Sequence, residues 1–218
     1  LSKYNLLEAI MEQSKSPKKQ TNKRQKIMET AITLFAEKGY SNTPTSEIAK
    51  AAGVAEGTIF RHFSTKDNLL INVIVSFLKE SIPLMAEELF EDIISRNVLS
   101  FEDFLRELIK NRMEFIKENK EIFQIIIKEL LYNEDIRKEM IPYFVENVGS
   151  RLMHLIQSYQ ERGELIDIPS KDIQKMIFVS IGGFFVTKFV LMPNDEGDEE
   201  AEIGNIVGFI MDGIRGNN

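Results

Sequence analysis

From residue 23 onward the apolar residues recur at helical intervals. Ile27, Ala31, Leu34 and Phe35 fall at i, i+4, i+7 and i+8, which predicts an amphipathic helix over residues 23–38, ended by Gly39. In the next stretch Ile48, Ala49 and Ala52 share one face of a short helix, with Thr43 expected as its N-cap and Pro44 at its first position. Ile59 and Phe63 lie four residues apart in a second short helix and leave Thr58, Arg61 and His62 on the opposite side. Between the two, Gly53 suits a positive φ and Val54 provides an apolar anchor. The pattern predicts a helix-turn-helix, a motif whose second helix can enter a DNA major groove.

The rest of the chain keeps the same period. Ser64 to Asp67 opens a helix from Lys66 to about Glu80, which Pro83 bends or interrupts. Further helices are expected at Phe101 to about Glu118, Glu121 to Tyr132, Asp135 to Arg162 with a kink near Pro142, and Lys171 to about Leu191. Asn194 to Glu200 is expected as an acidic loop before a last helix carrying Ile203, Ile206, Val207, Ile210, Met211 and Ile214. There is no strand pattern and no internal repeat. The fold class is therefore all-α, an N-terminal three-helix helix-turn-helix domain plus a C-terminal helical domain; that the latter is a ligand-binding and dimerisation domain is what the family resemblance set out below implies. The expected divisions are an arm (1–20), the DNA-binding domain (21–67) and the ligand-binding and dimerisation domain (68–218).

Composition changes the picture in two places. With 218 residues and no cysteine, disulfides, thiol catalysis and cysteine-ligated zinc are excluded, and a reducing cytoplasm is permitted. The net charge of −7 argues against a nucleic-acid partner until it is divided. Residues 1–68 hold 11 Lys/Arg and 7 Asp/Glu, a balance of +4, whereas residues 69–218 hold 16 and 27, a balance of −11. A basic end on an acidic body suits a protein that offers one face to phosphate. The chain begins with Leu, so its first residue need not be the native start. Ser14 to Lys19 reads as a basic arm for the DNA backbone or, equally, as a solvated tail. No secretory signal is visible, and the apolar run from Met176 to Met192, broken by Ser180 and Lys188, reads as a buried helix and not a membrane span.

The helix-turn-helix also carries a family resemblance. Gly39-Tyr40, Thr43, Glu47-Ile48-Ala49, the run Ala52 to Phe60, His62-Phe63 and Lys66 resemble the DNA-binding domain of TetR-family transcriptional repressors over about residues 22–70. The resemblance implies that Thr45 and Ser46 hold phosphates while Ala55, Glu56, Gly57, Thr58, Phe60, Arg61 and His62 face the groove. Gly57 lets the backbone approach closely, Thr58 meets a base edge or thymine methyl, and Arg61 pairs with guanine. His62 and Lys66 are expected on phosphate, with Lys23 and Arg24 at the start of the first helix. The bland reading of these cations is a solvated face. Ala55 departs from the Ser often seen at this helix start, Phe60 from the commoner Tyr, and Glu56 brings a negative charge to DNA.

In the body, the last two helices are expected to pair with their copies in a two-fold four-helix bundle, as the resemblance implies, through Phe178, Ile181, Phe185, Phe189, Ile203, Ile206, Val207, Ile210, Met211 and Ile214. The alternative is that they fill the protomer's own core. The other helices are expected to enclose an apolar pocket drawn from Phe104, Leu108, Phe115, Phe123, Ile127, Met153, Phe178, Phe184 and Phe185, residues that equally suit plain core. His154 is isolated, and no cluster has metal-ligand spacing, so neither metal nor cofactor is expected. No catalytic constellation is recognisable, and the chain is not expected to be an enzyme. The expectation is a cytoplasmic, homodimeric repressor that binds a palindromic operator in double-stranded DNA and is released by a small, largely apolar effector. A ligand-independent architectural dimer and a helical carrier of hydrophobic molecules are the alternatives.

Overall fold

A computed structural model describes residues 6–7, 23–75, 86–87, 90–91, 100–193 and 197–216. The expected arm, apart from Leu6 and Leu7, and the expected bend at Pro83 lie outside the described residues. The helices are α1 (Lys23–Lys38), α2 (Thr45–Ala52), α3 (Glu56–Phe63), α4 (residues 66–75), α5 (Phe101–Glu118), α6 (Lys120–Tyr132), α7 (Glu134–Phe144), α8 (Ser150–Glu161), α9 (Ser170–Val186) and α10 (Glu199–Ile214). Two π-helical stretches, Val145–Gly149 and Thr187–Leu191, join α7 to α8 and prolong α9. Extended pairing among the described residues is limited to one isolated bridge, Leu165 to Arg215.

The helices gather into two compact units. The first takes α1–α4, α6 from Glu121, and the start of α7 through Arg137; the second takes α5, the rest of α7, α8, α9 and α10.

In the first unit, Ile27, Ala31 and Phe35 of α1 are fully buried together with Ile48, Ile59, Leu69 and Ile74. Each of these Ile, Leu and Phe side chains contributes roughly 1.5–3 kcal/mol relative to exposure. Gly53 ends α2 at φ 67°, ψ 38°, and its N–H reaches the carbonyls of Ala49 and Lys50. Thr43 is not the N-cap: Pro44 occupies that position, and no side chain caps the helix. Thr43 is wholly buried and turns its hydroxyl back toward the carbonyls of Gly39 (2.8 Å) and Leu34 (3.2 Å), tying the turn to α1. α6 is attached by polar contacts. Lys128 donates to Asp67 at 2.5 Å, Ser41 donates to Glu121, and the Tyr40 hydroxyl donates to the other oxygen of Asp67.

In the second unit, α5 starts at a capping box in which the Ser100 hydroxyl accepts from the Asp103 N–H and the Asp103 carboxylate accepts from the Ser100 N–H. Phe101 meets Tyr159 with ring centroids 5.3 Å apart, and Phe104 meets Phe101 at 5.8 Å. Pro142 interrupts the helical ladder, and the π-helical stretch follows it, with Gln174 donating to the carbonyl of Gly149. The acidic loop is shorter than expected, because Asp198 accepts from the Glu200 and Ala201 N–H groups and starts α10 at Glu199.

Candidate nucleic-acid interface

α3 is a two-faced helix. Ile59 and Phe63 are buried against α2 and α1, while Ala55, Glu56, Gly57, Phe60, Arg61 and His62 are exposed and Thr58 is half-buried. A Cβ on Gly57 would meet no atom within 4 Å, so the backbone there faces open space. Phe60 is 46% exposed, an apolar ring offered outward beside Arg61. These are the residues expected to face the groove, and all of them but Thr58 are exposed.

The residues expected on phosphate separate into two groups. Lys23 and Ser46 are exposed, and Thr45 is half-buried with its hydroxyl donated to Glu56 at 2.6 Å. That bond joins the starts of α2 and α3, and Thr45 must leave it before it can donate to phosphate. Two of the cations also make contacts within the chain. Arg24 lies 5.2 Å from the Phe63 ring centroid and donates to Asn72 at 2.6 Å. Lys66 donates to the Tyr40 carbonyl at 2.5 Å, with its ammonium 4.1 Å from the Tyr40 ring centroid. Burial lowers the Lys66 pKa, against the opposing charges of Glu121 and Asp67. Burial raises that of Asp67, but the hydrogen bonds from Lys128 and Tyr40 outweigh it and hold the carboxyl below its usual value. Burial, then the bond to Asp67, pushes the Tyr40 hydroxyl upward.

The expected pocket residues divide between the two compact units. Phe123 and Ile127 fall in the first compact unit, and Phe104, Leu108, Phe115, Met153, Phe178, Phe184 and Phe185 in the second. Phe104 is fully buried core, and Phe185 packs against Phe184 and Phe189 at 5.3 and 6.2 Å. His154 is exposed, and no group of three or more His, Cys, Asp or Glu gathers at metal-binding distance among the described residues.

The residues expected at a dimer interface are mostly interior. Phe185, Phe189, Ile203, Val207, Ile210, Met211 and Ile214 are buried within the protomer, so they belong to its own core; Phe178, Ile181 and Ile206 are half-buried. Met176 and Val179 of α9 and Phe209 of α10 are exposed, next to Gly182, Gly183 and Gly208, where a Cβ would meet nothing within 4 Å. The stretch Ser170–Leu191 is long and apolar enough to cross a membrane by length and composition, and only 33% of its apolar window is buried in the protomer.

A helix-turn-helix whose second helix exposes its outer face is the arrangement that DNA-binding regulators use. Residues 27–73 match the family model of bacterial regulatory proteins, tetR family. The fatty acid metabolism regulator protein of Bacillus subtilis is 34% identical over 83 residues, 38% of this chain and 43% of that one. The chain thus spans less than half the length of that relative. Among solved structures, FadR of Bacillus subtilis in complex with stearoyl-CoA superposes with a TM-score of 0.57 at 23% identity, covering 87% of this chain and 98% of that one. FadR of Thermus thermophilus in complex with lauroyl-CoA does so at 0.58 and 22%, covering 87% and 94%. Residues 27–73 thus carry a DNA-binding domain of the TetR type, and the likeness of the whole chain to the two FadR structures is one of fold.

Proposed function

We propose that the protein is a homodimeric repressor that leaves its operator when an effector carrying an apolar chain binds the helical body. The observation that carries this reading is the outward face of α3, where Gly57, Thr58, Phe60, Arg61 and His62 stand over the buried Ile59 and Phe63. Arg61 pairs with guanine, Thr58 with a base edge or thymine methyl, and Lys23, Ser46 and His62 hold phosphate. Residues 21–67 read DNA, and residues 68–218 dimerise and bind the effector. The exposed stripe of Met176, Val179 and Phe209 is the surface that a second copy covers. Two recognition helices about 34 Å apart then enter successive major grooves of a palindrome. The acyl-CoA ligands of the two FadR structures support an effector with an acyl chain, acting by preferring a dimer of different spacing. The protein works in the cytoplasm and catalyses no reaction.

The test is selection of random duplexes on the purified protein, followed by anisotropy at two salt concentrations. A palindromic motif is expected. Arg61→Ala should lose about 1–3 kcal/mol at one base position of each half-site. Lys23→Ala should weaken all sequences alike and reduce the salt slope by about one. Binding without sequence preference, with Arg61→Ala no worse than Lys23→Ala, would refute base reading and point to an architectural role.

A further inference from the structure

Among the described residues Arg112 forms no salt bridge. Arg112 lies on α5 with Leu108 four residues before it and Phe115 three after, so the three share a face. Leu108, Arg112 and Phe115 are each only half-buried, whereas Lys110, Glu114 and Lys117 are exposed. The guanidinium sits 5.1 Å from the Phe115 ring centroid, and its Nε and Nη2 donate to the Asn111 side-chain oxygen, at 3.1 Å from Nε. A guanidinium has five N–H donors, so the remaining ones find no acceptor among the described residues. Other arginines of this unit behave differently. Arg106 and Arg215 pair with Glu102, and Arg151 pairs with Glu87.

Desolvation pulls the Arg112 pKa down to about 10, so it stays charged near neutrality at a cost to the ligand-free protein. Every fully buried side-chain polar atom among the described residues has a partner, so the unpaired edge of Arg112 meets accessible space. The site therefore combines a poorly solvated cation, a planar donor edge, and two partly uncovered apolar side chains.

We infer that Arg112, oriented by Asn111, binds the anionic head of an amphiphilic effector whose chain lies along Leu108 and Phe115. The fork of a guanidinium matches a carboxylate or a phosphate in two parallel hydrogen bonds. An entering anion supplies the acceptors that the protein withholds, and its binding is strengthened by the low local dielectric. This assignment rests on the reading of the chain as an effector-responsive regulator, and it narrows that effector from apolar to anionic and amphiphilic.

The test is isothermal titration of the full chain, without DNA, against decanoate, decyl phosphate and 1-decanol. The anions should bind on the order of ten- to a hundredfold more tightly than the alcohol, the range expected of charged hydrogen bonds. Whichever anion leads identifies carboxylate or phosphoryl as the natural head. Arg112→Met should bring the anions down to the affinity of the alcohol and leave the alcohol unchanged. Arg112→Lys keeps the charge and the stem, so it should still prefer the anions while binding each more weakly than wild type. Equal affinity for alcohol and anions, no anion binding, or a full anion preference retained by Arg112→Met would each overturn the assignment. Anion binding that depends on Arg112 but never releases operator would leave the assignment standing and sink the repressor reading.

Discussion

Phe209 gives the dimer reading a quantitative test. It is 71% exposed on α10, whereas Val207 and Ile210 beside it are 0% and 4% exposed. Burying a Phe side chain completely contributes roughly 1.5–3 kcal/mol. Seven-tenths of that is available to a partner, and a two-fold interface counts it twice. Phe209 should therefore supply about 2–4 kcal/mol of association, a factor of roughly thirty to several hundred in the dimer dissociation constant. Phe209→Ala should show that loss in sedimentation equilibrium. Phe209→Glu should exceed it, because each charge must also be desolvated against the apposed helix. Neither variant should disturb the helical circular dichroism of the protomer, since the ring contributes little to its core. Ile210→Ala serves as the opposite case: about 2–5 kcal/mol lost from unfolding stability through the cavity it leaves. If Phe209→Glu dimerises with the wild-type constant, the exposed stripe on α9 and α10 is not the interface.

Two further outcomes concern the helix-turn-helix unit. Gly53→Ala should cost about 1–2 kcal/mol in denaturant unfolding, because φ is 67° there and the nearest atom to an added Cβ, Lys26 Nζ at 3.8 Å, leaves room. Gly53→Val should cost more, and a neutral Gly53→Ala would refute the strain argument. The Lys128–Asp67 contact should give this unit a pH window. Asp67 is held low, so its contribution is present above its unfolded value of about 3.9 and is lost as pH falls through the folded one. Lys128 is raised by Asp67, so its contribution is present below its unfolded value of about 10.4 and is lost as pH rises through the folded one. Asp67→Asn should flatten the acid limb of the melting temperature against pH, and an unchanged limb would remove Asp67 from the account.

The parts legible in the sequence are those where one local rule decides. Ile48, Ala49, Ala52, Ile59 and Phe63 form the inner face of the helix-turn-helix because their spacing admits one helical face, and Gly53 marks the turn because its φ is 67°. The contacts that the sequence does not disclose are those whose partners lie far along the chain. Lys66 reads as a surface cation, yet it bonds the carbonyl of Tyr40, 26 residues earlier. Arg24 reads as a phosphate contact, yet it bonds Asn72, 48 residues later. Thr43 has the composition of a cap, but the carbonyls of Leu34 and Gly39 compete for its hydroxyl and win. Arg112 looks like the polar side of an amphipathic helix, because periodicity assigns faces without saying which one the rest of the chain covers.

The same limit bears on the proposed dimer surface. α9 is apolar nearly all round, so its period carries no instruction about which residues face inward. Phe185 and Phe189 are expected at a dimer face because this helix is apolar nearly all round and the last helix carries an apolar stripe with Gly204 and Gly208. The protomer instead keeps those rings, buried at 5% exposure each, and turns outward a flatter strip of Met176, Val179, Gly182 and Gly183. That choice has a packing reason. Large rings fill the irregular interior left where helices cross, whereas two copies of one helix approach closely only along small side chains. On this argument an all-round apolar helix in a two-fold protein divides its residues by size: bulk toward its own core, and glycines with short or flexible side chains toward its copy. Phe209 is the exception on α10, a large ring standing beside Gly208. A ring that projects from one copy needs a gap in the other, and the open glycines of α9 and α10 are the available gaps. Filling one of them, as in Gly183→Leu, should weaken dimerisation about as much as truncating the ring itself.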